Sequence, residues 1–281
     1  GRTWEGYCRE IFDISHQHAD RQIAAARVIE NLTPIGVKED GSVDWELLPA
    51  NEAQARELAR LDPPDERDRV AERGLADAGI RYDIEAVNGE PSPDFVDAIV
   101  AQYRMRCPDW VVGIGGGSAV DAGKAISAML PQDGSVRDSL EGQETRKHDG
   151  RKVAFAAVPT SSGTGAEATK NAVLSVVGPS GFKSSLRHDN FMPDMALVDP
   201  QLMLGCPPSV TAACGLDALT QLLEAYVSTK ASPMTDALAL SGLQSVASGF
   251  VRACEAGADD LEARSHMAYA ALLSGIALAN A

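Results

Sequence analysis

Residues 111–127, with the sequence VVGIGGGSAVDAGKAIS, place four glycines within five consecutive positions. The apolar residues before them, from Trp110 to Ile114, predict a buried strand. Ser118 and Asp121 lie three residues apart and resemble a capping box that opens a helix. A glycine turn between a strand and a helix presents backbone N–H groups and the positive end of the helix dipole, with no Cβ to obstruct a phosphate. The stretch therefore predicts a phosphate-binding loop; the alternative is a tight turn that binds nothing.

The spacing of these glycines excludes two familiar nucleotide-binding motifs. The Rossmann fingerprint requires its third glycine at the position where Ser118 stands. The P-loop requires Ser or Thr after its Gly-Lys pair, but Ala125 follows Gly123–Lys124, and the preceding spacing is one residue too long. The phosphate-binding hypothesis therefore depends on the strand, the glycines and the helix rather than on a standard motif.

The composition limits the possible partners and compartments. The chain has 281 residues, of which 44% are hydrophobic and 23% charged, enough for one large or two ordinary domains. A net charge of −15 argues against nucleic acid or an anionic membrane surface as a partner. The five cysteines include no CxxC pair, which suits a reducing compartment where each is a small core residue. Since we find no signal peptide and no run of 18 apolar residues, we expect a soluble cytoplasmic protein.

The chain divides into three stretches with different patterns, at residues 1–69, 70–205 and 206–281. The first is an N-terminal helical segment of unassigned role. Amphipathic periodicity predicts two helices in it, and paired prolines with dense charge predict an exposed linker, over 15–32, 50–61 and 61–69. The other two stretches are expected to form domains with a cleft between them, a common place for a ligand.

The middle stretch alternates between helical and strand patterns. The helices are predicted over 70–78 and 93–106, and the strands over 80–87, 109–114, 152–159 and 195–200. This alternation is typical of a Rossmann-like parallel sheet covered by helices. From residue 208 onward the pattern is helix after helix, rich in Ala and Leu. The predicted fold class is therefore α/β followed by all-α.

A second polar loop follows the strand predicted at 152–159. Residues 158–173, VPTSSGTGAEATKNAV, combine several hydroxyl side chains with two glycines. Hydroxyls and uncovered backbone are suitable hydrogen-bonding partners for ribose and pyrophosphate. A stretch of this kind is ordinarily just a loop. Two such loops after neighbouring strands, however, predict a site that contacts both ends of a dinucleotide.

Four stretches together resemble successive motifs of the iron-containing (group III) alcohol dehydrogenase family, in the family's order: GIGGGSAVDAGKAIS, PTSSGTGAEAT, PDMALVDPQL and GLDALTQLLEAY. The resemblance covers roughly residues 70–281. It implies an α/β domain that binds NAD or NADP over 70–205, and a helical domain that carries a divalent metal, Fe²⁺ or Zn²⁺, over 206–281. The implied activity is an NAD(P)-dependent interconversion of an alcohol and an aldehyde or ketone, with the metal polarising the substrate oxygen. We expect a small-molecule substrate and a homo-oligomer, a dimer or larger.

The resemblance also assigns roles to particular residues. Those expected along the pyrophosphate are Gly116, Gly117, Ser118 and Asp121. Those expected toward the pyrophosphate, the ribose and the nicotinamide are Thr160, Ser161, Thr164 and Thr169. Lys183 is expected near the ribose or a phosphate, and Asp217 and Gln221 are expected to bind the metal and to act in catalysis.

The expected metal site departs from the family pattern at Gln221. The family pairs an Asp with a His four residues later, whereas here Gln221 follows Asp217 at that spacing. An amide oxygen suits a hard cation but binds borderline metals less well than imidazole. The alternative is that Gln221 only hydrogen-bonds within the cleft. The family's two remaining histidines would follow Ala281, so we expect only part of the site here, with neither His188 nor His266 as a substitute.

Several further alternatives stay open at this point. His16 and His18 are two residues apart, which on a helix directs them about 200° apart and argues against a shared metal. Glu224 lies seven residues after Asp217 and is either an outer partner of the metal site or a solvated carboxylate.

The departure at Gln221 also allows a metal-independent reductase or a catalytically silent nucleotide-binding protein. NAD and NADP are not distinguished, because we find no strand ending in an acidic residue for the adenine ribose.

Overall fold

The structure is a computed structural model that describes residues 81–178 and 181–281. The predicted helices over 15–32, 50–61 and 70–78 and the predicted linker lie outside the described residues. The helices of the described part are α1 (Pro93–Tyr103), α2 (Gly117–Met129), α3 (Pro208–Val227), α4 (Pro233–Ala256) and α5 (Leu261–Asn280). Its strands are β1 (Trp110–Gly115), β2 (Ala154–Pro159), β3 (Asn171–Val176), β4 (Phe182–Arg187) and β5 (Met195–Ala196).

Three of these strands form a parallel sheet with the order β1-β2-β5. β1 and β2 pair along their full length, from Trp110 opposite Ala154 to Gly115 opposite Pro159. Parallel neighbours need a crossover connection, and α2 lies in the connection between β1 and β2. Both strands therefore end at the same edge of the sheet, where the two polar loops begin. This arrangement confirms the predicted Rossmann-like fold class.

One predicted strand is absent from the described residues, and another is shorter than predicted. Residues 81–87 form no strand, and the side chains of Tyr82 and Ile84 are exposed. Within the described residues β1 pairs only with β2, and a segment without a hydrogen-bonded neighbour does not become a strand. The prediction over 195–200 shrinks to the two residues of β5, because Pro200 already begins a 3₁₀ turn.

β1 is less buried than its apolar sequence predicts. Trp110 and Val112 are 49% and 47% exposed. They lie on the strand that forms an edge of the described sheet, so one side of β1 is left without a neighbouring strand. The strand itself is confirmed, but the expectation of a fully buried strand is wrong.

An antiparallel hairpin was missed. β3 and β4 pair from Asn171 opposite Arg187 to Val176 opposite Phe182. The start of β3 was predicted as a loop because the hydroxyls and glycines before it suggested one. The alternation that marks β3 is present, however, since Ala172 and Leu174 are fully buried.

Most of the buried apolar side chains of the described part form two groups. One joins α1, α2 and the hairpin and includes Val96, Val100, Met129, Leu174 and Phe191. The other lies among α3, α4 and α5 and includes Leu222, Leu243, Phe250, Met267 and Leu273. The predicted run of helices after residue 208 is thus confirmed, while the domain boundaries at 69/70 and 205/206 stay predictions.

The helices α3 to α5 pack closely because small residues lie between them. A Cβ added to Gly242 would lie 2.6 Å from a methyl carbon of Leu222, so any larger residue would require the Leu222 side chain to shift. Among the described helices, none has both the length and the apolar composition that a membrane crossing requires.

None of the four cysteines in the described part forms a disulfide. Cys107 is exposed, so the expectation that each cysteine is a core residue is wrong at that position.

Candidate active site

The glycine loop ends β1 and opens α2. Gly116 is the N-cap of α2, and its carbonyl accepts the first backbone bonds, from Ala119 N at 3.0 Å and Val120 N at 3.2 Å. The amides of Gly117 and Ser118 precede these bonds and have no intrahelical acceptor. Because the positive end of the helix dipole lies at the same place, these amides fit an anionic group. The predicted capping box is wrong, since α2 begins before Ser118 and has no side-chain cap.

The second polar loop packs directly on the first. Thr160 N donates to Gly115 O at 2.8 Å, which joins the two loops through their backbones. A Cβ on Gly116 would lie 3.3 Å from Ser161 Oγ, and a Cβ on Gly117 would lie 2.8 Å from Thr164 Oγ1. The structure therefore brings together five of the predicted cofactor residues, Gly116, Gly117, Thr160, Ser161 and Thr164. It also adds a second reason for the glycines, which is the close approach of the second loop.

Two other predicted cofactor residues lie against the hairpin. Asp121 is 8% exposed, and its carboxylate accepts a hydrogen bond from Val173 N of β3 at 3.2 Å. Lys183 lies on β4, where its ammonium pairs with Glu90 at 3.6 Å. In this structure, Asp121 thus connects α2 to the hairpin, and Lys183 lies on a half-exposed face of it.

Lys124, which the motifs did not single out, lies on α2 and is 1% exposed. Its ammonium donates to three backbone carbonyls: Ala166 O at 2.7 Å, Thr169 O at 2.8 Å and Asn171 O at 2.9 Å. Burial lowers the pKa of Lys124 to about 8, against the opposing effect of two nearby carboxylates. The sequence does contain a signal for a buried lysine, because Lys124 lies within an otherwise small and apolar stretch of α2.

The two carboxylates beside Lys124 are also buried. Asp121 Oδ1 lies 3.9 Å from Lys124 Nζ, and Glu167 is 5% exposed in the 3₁₀ turn Ala166–Ala168. Burial raises the pKa of Glu167, and the charge of Lys124 opposes that rise. We refer to Asp121, Lys124 and Glu167 as the buried ionic cluster. It lies between α2 and the C-terminal half of the second polar loop.

The second polar loop also contacts the helical part of the chain. Gly165 has φ +60°, and a Cβ there would lie 2.6 Å from the backbone N of Gly275 on α5. A Cβ on Gly163 would lie 2.8 Å from that of Cys214 on α3. The loop is therefore enclosed by the N-terminus of α2 on one side and by α3 and α5 on the other.

The predicted metal ligands lie one turn apart on α3 and are hydrogen-bonded. Gln221 Oε1 accepts from Ser274 Oγ of α5 at 2.9 Å, and Gln221 Nε2 donates to Asp217 Oδ1 at 3.5 Å. This is the arrangement of the alternative in which Gln221 only hydrogen-bonds within the cleft. The amide presents its nitrogen to the carboxylate, and a nitrogen donor does not coordinate a cation.

The other candidates do not complete a metal site. Glu224 is exposed, which matches a solvated carboxylate, and His266 packs beside Gly249 of α4. In residues 81–178 and 181–281, no three His, Cys, Asp or Glu side chains are grouped so as to hold a metal ion. A tetrahedral metal needs four ligands, so the described donors do not by themselves fit one.

Two family models match nearly all of the described chain. Residues 67–200 match the model for iron-containing alcohol dehydrogenase, and residues 211–281 match the model for the C-terminal part of the Fe-containing alcohol dehydrogenase family. The chain belongs to the iron-containing alcohol dehydrogenase family. The resemblance inferred from the four sequence motifs is thereby confirmed.

Curated members of the family are similar to this chain over about half their length. The long-chain-alcohol dehydrogenase 1 of Geobacillus thermodenitrificans is 41% identical over 192 residues, which are 68% of this chain and 48% of that protein. The 1-propanol dehydrogenase PduQ of Citrobacter freundii is 40% identical over 195 residues, 69% of this chain and 48% of that protein. The chain thus spans about half the length of the curated relatives it matches.

Solved structures of the family share the fold. A 1,3-propanediol oxidoreductase superposes with a TM-score of 0.70 at 33% identity, covering 77% of this chain and 56% of that one. The sulfoacetaldehyde reductase of Bifidobacterium kashiwanohense, solved in complex with NAD⁺, superposes with a TM-score of 0.68 at 30% identity, covering 75% and 56%.

Proposed function

We propose that this chain forms the dinucleotide-binding part of an NAD(P)-dependent dehydrogenase that interconverts an alcohol and an aldehyde or ketone. The observation that carries the proposal is the meeting of two polar loops where β1 and β2 end, with the amides of Gly117 and Ser118 at the start of α2. The family membership and the names of the relatives support it, several being alcohol dehydrogenases. They do not favour a silent nucleotide-binding protein or a metal-independent reductase.

The residues of the two loops suit a dinucleotide. The amides of Gly117 and Ser118, together with the dipole of α2, stabilise the charge of a pyrophosphate. The hydroxyls of Ser118 and of the second loop supply donors and acceptors for ribose and phosphate, at Thr160, Ser161, Thr164 and Thr169. Asp121 and Lys183 are assigned to the hairpin side of the same site. When bound, the nicotinamide supplies the hydride donor or acceptor of the reaction.

The metal proposal concerns Asp217 and Gln221. In an iron-containing alcohol dehydrogenase, Fe²⁺ or Zn²⁺ would polarise the substrate oxygen. From this chain, Asp217 would supply a carboxylate oxygen, and Gln221 an amide oxygen after a rotation of the amide that breaks its contact with Ser274. We assign both residues a catalytic role through the metal that they would hold, and together they supply half of a four-coordinate site.

The remaining assignments follow from the same proposal. Residues 70–205 would form the dinucleotide-binding domain, residues 206–281 part of the catalytic domain, and residues 1–69 a segment of unassigned role. We assign the protein to the cytoplasm, where the absence of disulfides among the described cysteines is ordinary. We further assign it to a homo-oligomer, which light scattering of the purified protein tests.

Fluorescence titration with NADH and with NADPH tests cofactor binding. Replacing Thr164 by Val removes a hydroxyl from the second loop and should weaken binding by about fivefold, the cost of about one hydrogen bond. The matched control is Thr220→Val on the exposed face of α3, where the hydroxyl bonds only to its own helix, at Leu216 O. Equal affinity of wild type, Thr164→Val and Thr220→Val would contradict the placement of the cofactor. Turnover of short alcohols and aldehydes, followed by NAD(P)H absorbance, tests the reaction.

A further inference from the structure

We propose that Lys124 is a positioning residue for the dinucleotide, because it sets the distance between the glycine loop and the segment that carries Thr169. This inference rests on the proposed function, since it assigns a role within the same site. Lys124 lies on α2, whose N-terminus is the glycine loop. Its ammonium contacts residues 166–171, in the C-terminal half of the second polar loop.

The hydrogen bonds of Lys124 use the full capacity of an ammonium group. It has three N–H donors, and three backbone carbonyls lie within 2.9 Å of Nζ, on Ala166, Thr169 and Asn171. Thr169 Oγ1 lies a little farther from Nζ, at 3.2 Å, and itself donates to Ala166 O. One side chain thus holds the backbone on both sides of Thr169 and orients its hydroxyl.

Neither a neutral amine nor an apolar side chain of similar length would make these three hydrogen bonds. A neutral amine has two N–H donors and a lone pair, so one of the three carbonyls would face the lone pair and lose its donor. Methionine has a similar length and fills much of the same volume, but it removes the ammonium donor from all three carbonyls, although Ala166 O still accepts from Thr169 Oγ1 at 3.3 Å. Because the ammonium is 1% exposed, water cannot readily replace the lost bonds.

The charges that face the ammonium come from two elements. Asp121 lies on α2 itself, and Glu167 lies in the 3₁₀ turn packed against it. Both carboxylates favour the charged form of Lys124, while burial opposes it and lowers its pKa to about 8. Above this pH the ammonium loses its third donor, so the hold on residues 166–171 weakens. Affinity for the dinucleotide should therefore fall as the pH passes about 8.

A purely structural role would behave differently with pH. A lysine whose pKa is lower in the folded than in the unfolded chain adds stability as the pH rises between the two values, because the unfolded chain binds more protons there. Loss of the proton from Lys124 should therefore weaken dinucleotide binding without lowering the free energy of unfolding. If Lys124 only stabilised the fold, affinity would not fall over this pH range.

The experiment compares wild type, Lys124→Met and the control Lys170→Met. Lys170 lies beside Thr169, but its side chain is partly exposed and pairs with Asp189 at the surface. NADH or NADPH affinity is titrated from pH 7 to 9.5, and hydrogen exchange of residues 160–175 is measured without nucleotide. We expect Lys124→Met to bind about tenfold more weakly at pH 7, to show no further loss above pH 8, and to exchange faster over 166–171. Lys170→Met should match wild type in all three respects.

The outcomes separate this inference from the proposed function. If wild type binds no dinucleotide at any pH, the proposed function fails, while the exchange data still test the contact of Lys124 with residues 166–171. A folded Lys124→Met protein that binds as tightly as wild type overturns the inference. If Lys124→Met does not fold, the wild-type profile decides, and an affinity that is constant from pH 7 to 9.5 overturns it.

Discussion

The two walls of the candidate cleft are built in different ways. On the sheet side, backbone amides, glycines and hydroxyls of two loops meet within the described chain, and the buried ionic cluster holds one of the loops. On the helical side, Gln221 is hydrogen-bonded to both Asp217 and Ser274, and Asp217 and Gln221 would supply only part of the proposed metal site. The difference shows that a nucleotide loop depends on local backbone geometry, whereas a metal site depends on side chains brought together from distant positions.

We expect the largest loss of stability from a substitution at the point where the two walls meet. Gly165→Ala places a Cβ 2.6 Å from Gly275 N in a left-handed backbone, so we expect a loss of about 3 kcal/mol in the free energy of unfolding. Gly142 also has a positive φ, +76°, but a Cβ added there would meet no atom of the described residues within 4 Å beyond its chain neighbours. Gly142→Ala should therefore cost only about 1 kcal/mol. Urea denaturation of both variants measures the difference. Equal losses would show that the loop is not confined by α5.

The close approach of the two loops gives the next effect. Gly117→Ala places a Cβ 2.8 Å from Thr164 Oγ1 and should weaken NAD(P)H binding by about tenfold. The same change in a Thr164→Ala background separates two causes in a double-mutant cycle. If the Cβ displaces the second loop, the loss largely disappears in that background. If the Cβ obstructs a phosphate, the loss remains. If neither variant bound NAD(P)H more weakly than its parent, both explanations would be contradicted.

In the helical wall, we expect a substitution to tighten ligand binding rather than weaken it, and by a smaller factor. Gln221→His restores an imidazole one turn after Asp217 and should tighten binding of Zn²⁺ or Fe²⁺ by about fivefold relative to wild type. Gln244→His on the exposed face of α4 is the control, and Asp217→Ala in the Gln221→His background should remove the gain. Calorimetric titration with each metal measures it. The same gain from Gln244→His would show only general binding by a surface imidazole.

The smallest effect is a dependence of stability on acid that is unrelated to either wall. His148 Nδ1 accepts from Gly150 N at 3.0 Å, so Nε2 carries the proton and donates to Ala128 O at the C-terminal end of α2. Burial lowers the pKa of His148, and protonation would place a second N–H against the Gly150 amide. The unfolded chain binds this proton first, so stability should fall as the pH drops below about 6.5.

Glutamine at position 148 can keep one donor and one acceptor without titrating. Melting temperatures from pH 7.5 to 5 should therefore fall less steeply for His148→Gln than for wild type. His266→Gln is the control and should follow wild type. Parallel curves for all three proteins would show that His148 does not contribute to the acid sensitivity.

Much of the fold could be predicted because it is written in local patterns. The apolar run before Gly115, the periodicity of residues 93–103 and the helical stretch after residue 208 each predicted the element that the structure has. The hairpin was missed because hydroxyls and glycines suggested a loop where alternation already marked β3. Residues 81–87 were wrongly predicted as a strand because alternation shows only the capacity to pair, and pairing needs a neighbour.

The candidate site divides in the same way. The motifs by themselves determined the family and the two polar loops, and they predicted anion binding at the start of α2, since each depends on residues that are close in sequence. Only the tertiary structure decided that Gly117 makes room for Thr164, that Lys124 holds the segment around Thr169, and that Gln221 bonds to Ser274. These contacts join residues 40 or more positions apart. Their geometry depends on how the helices and loops pack, which no local pattern of side chains records.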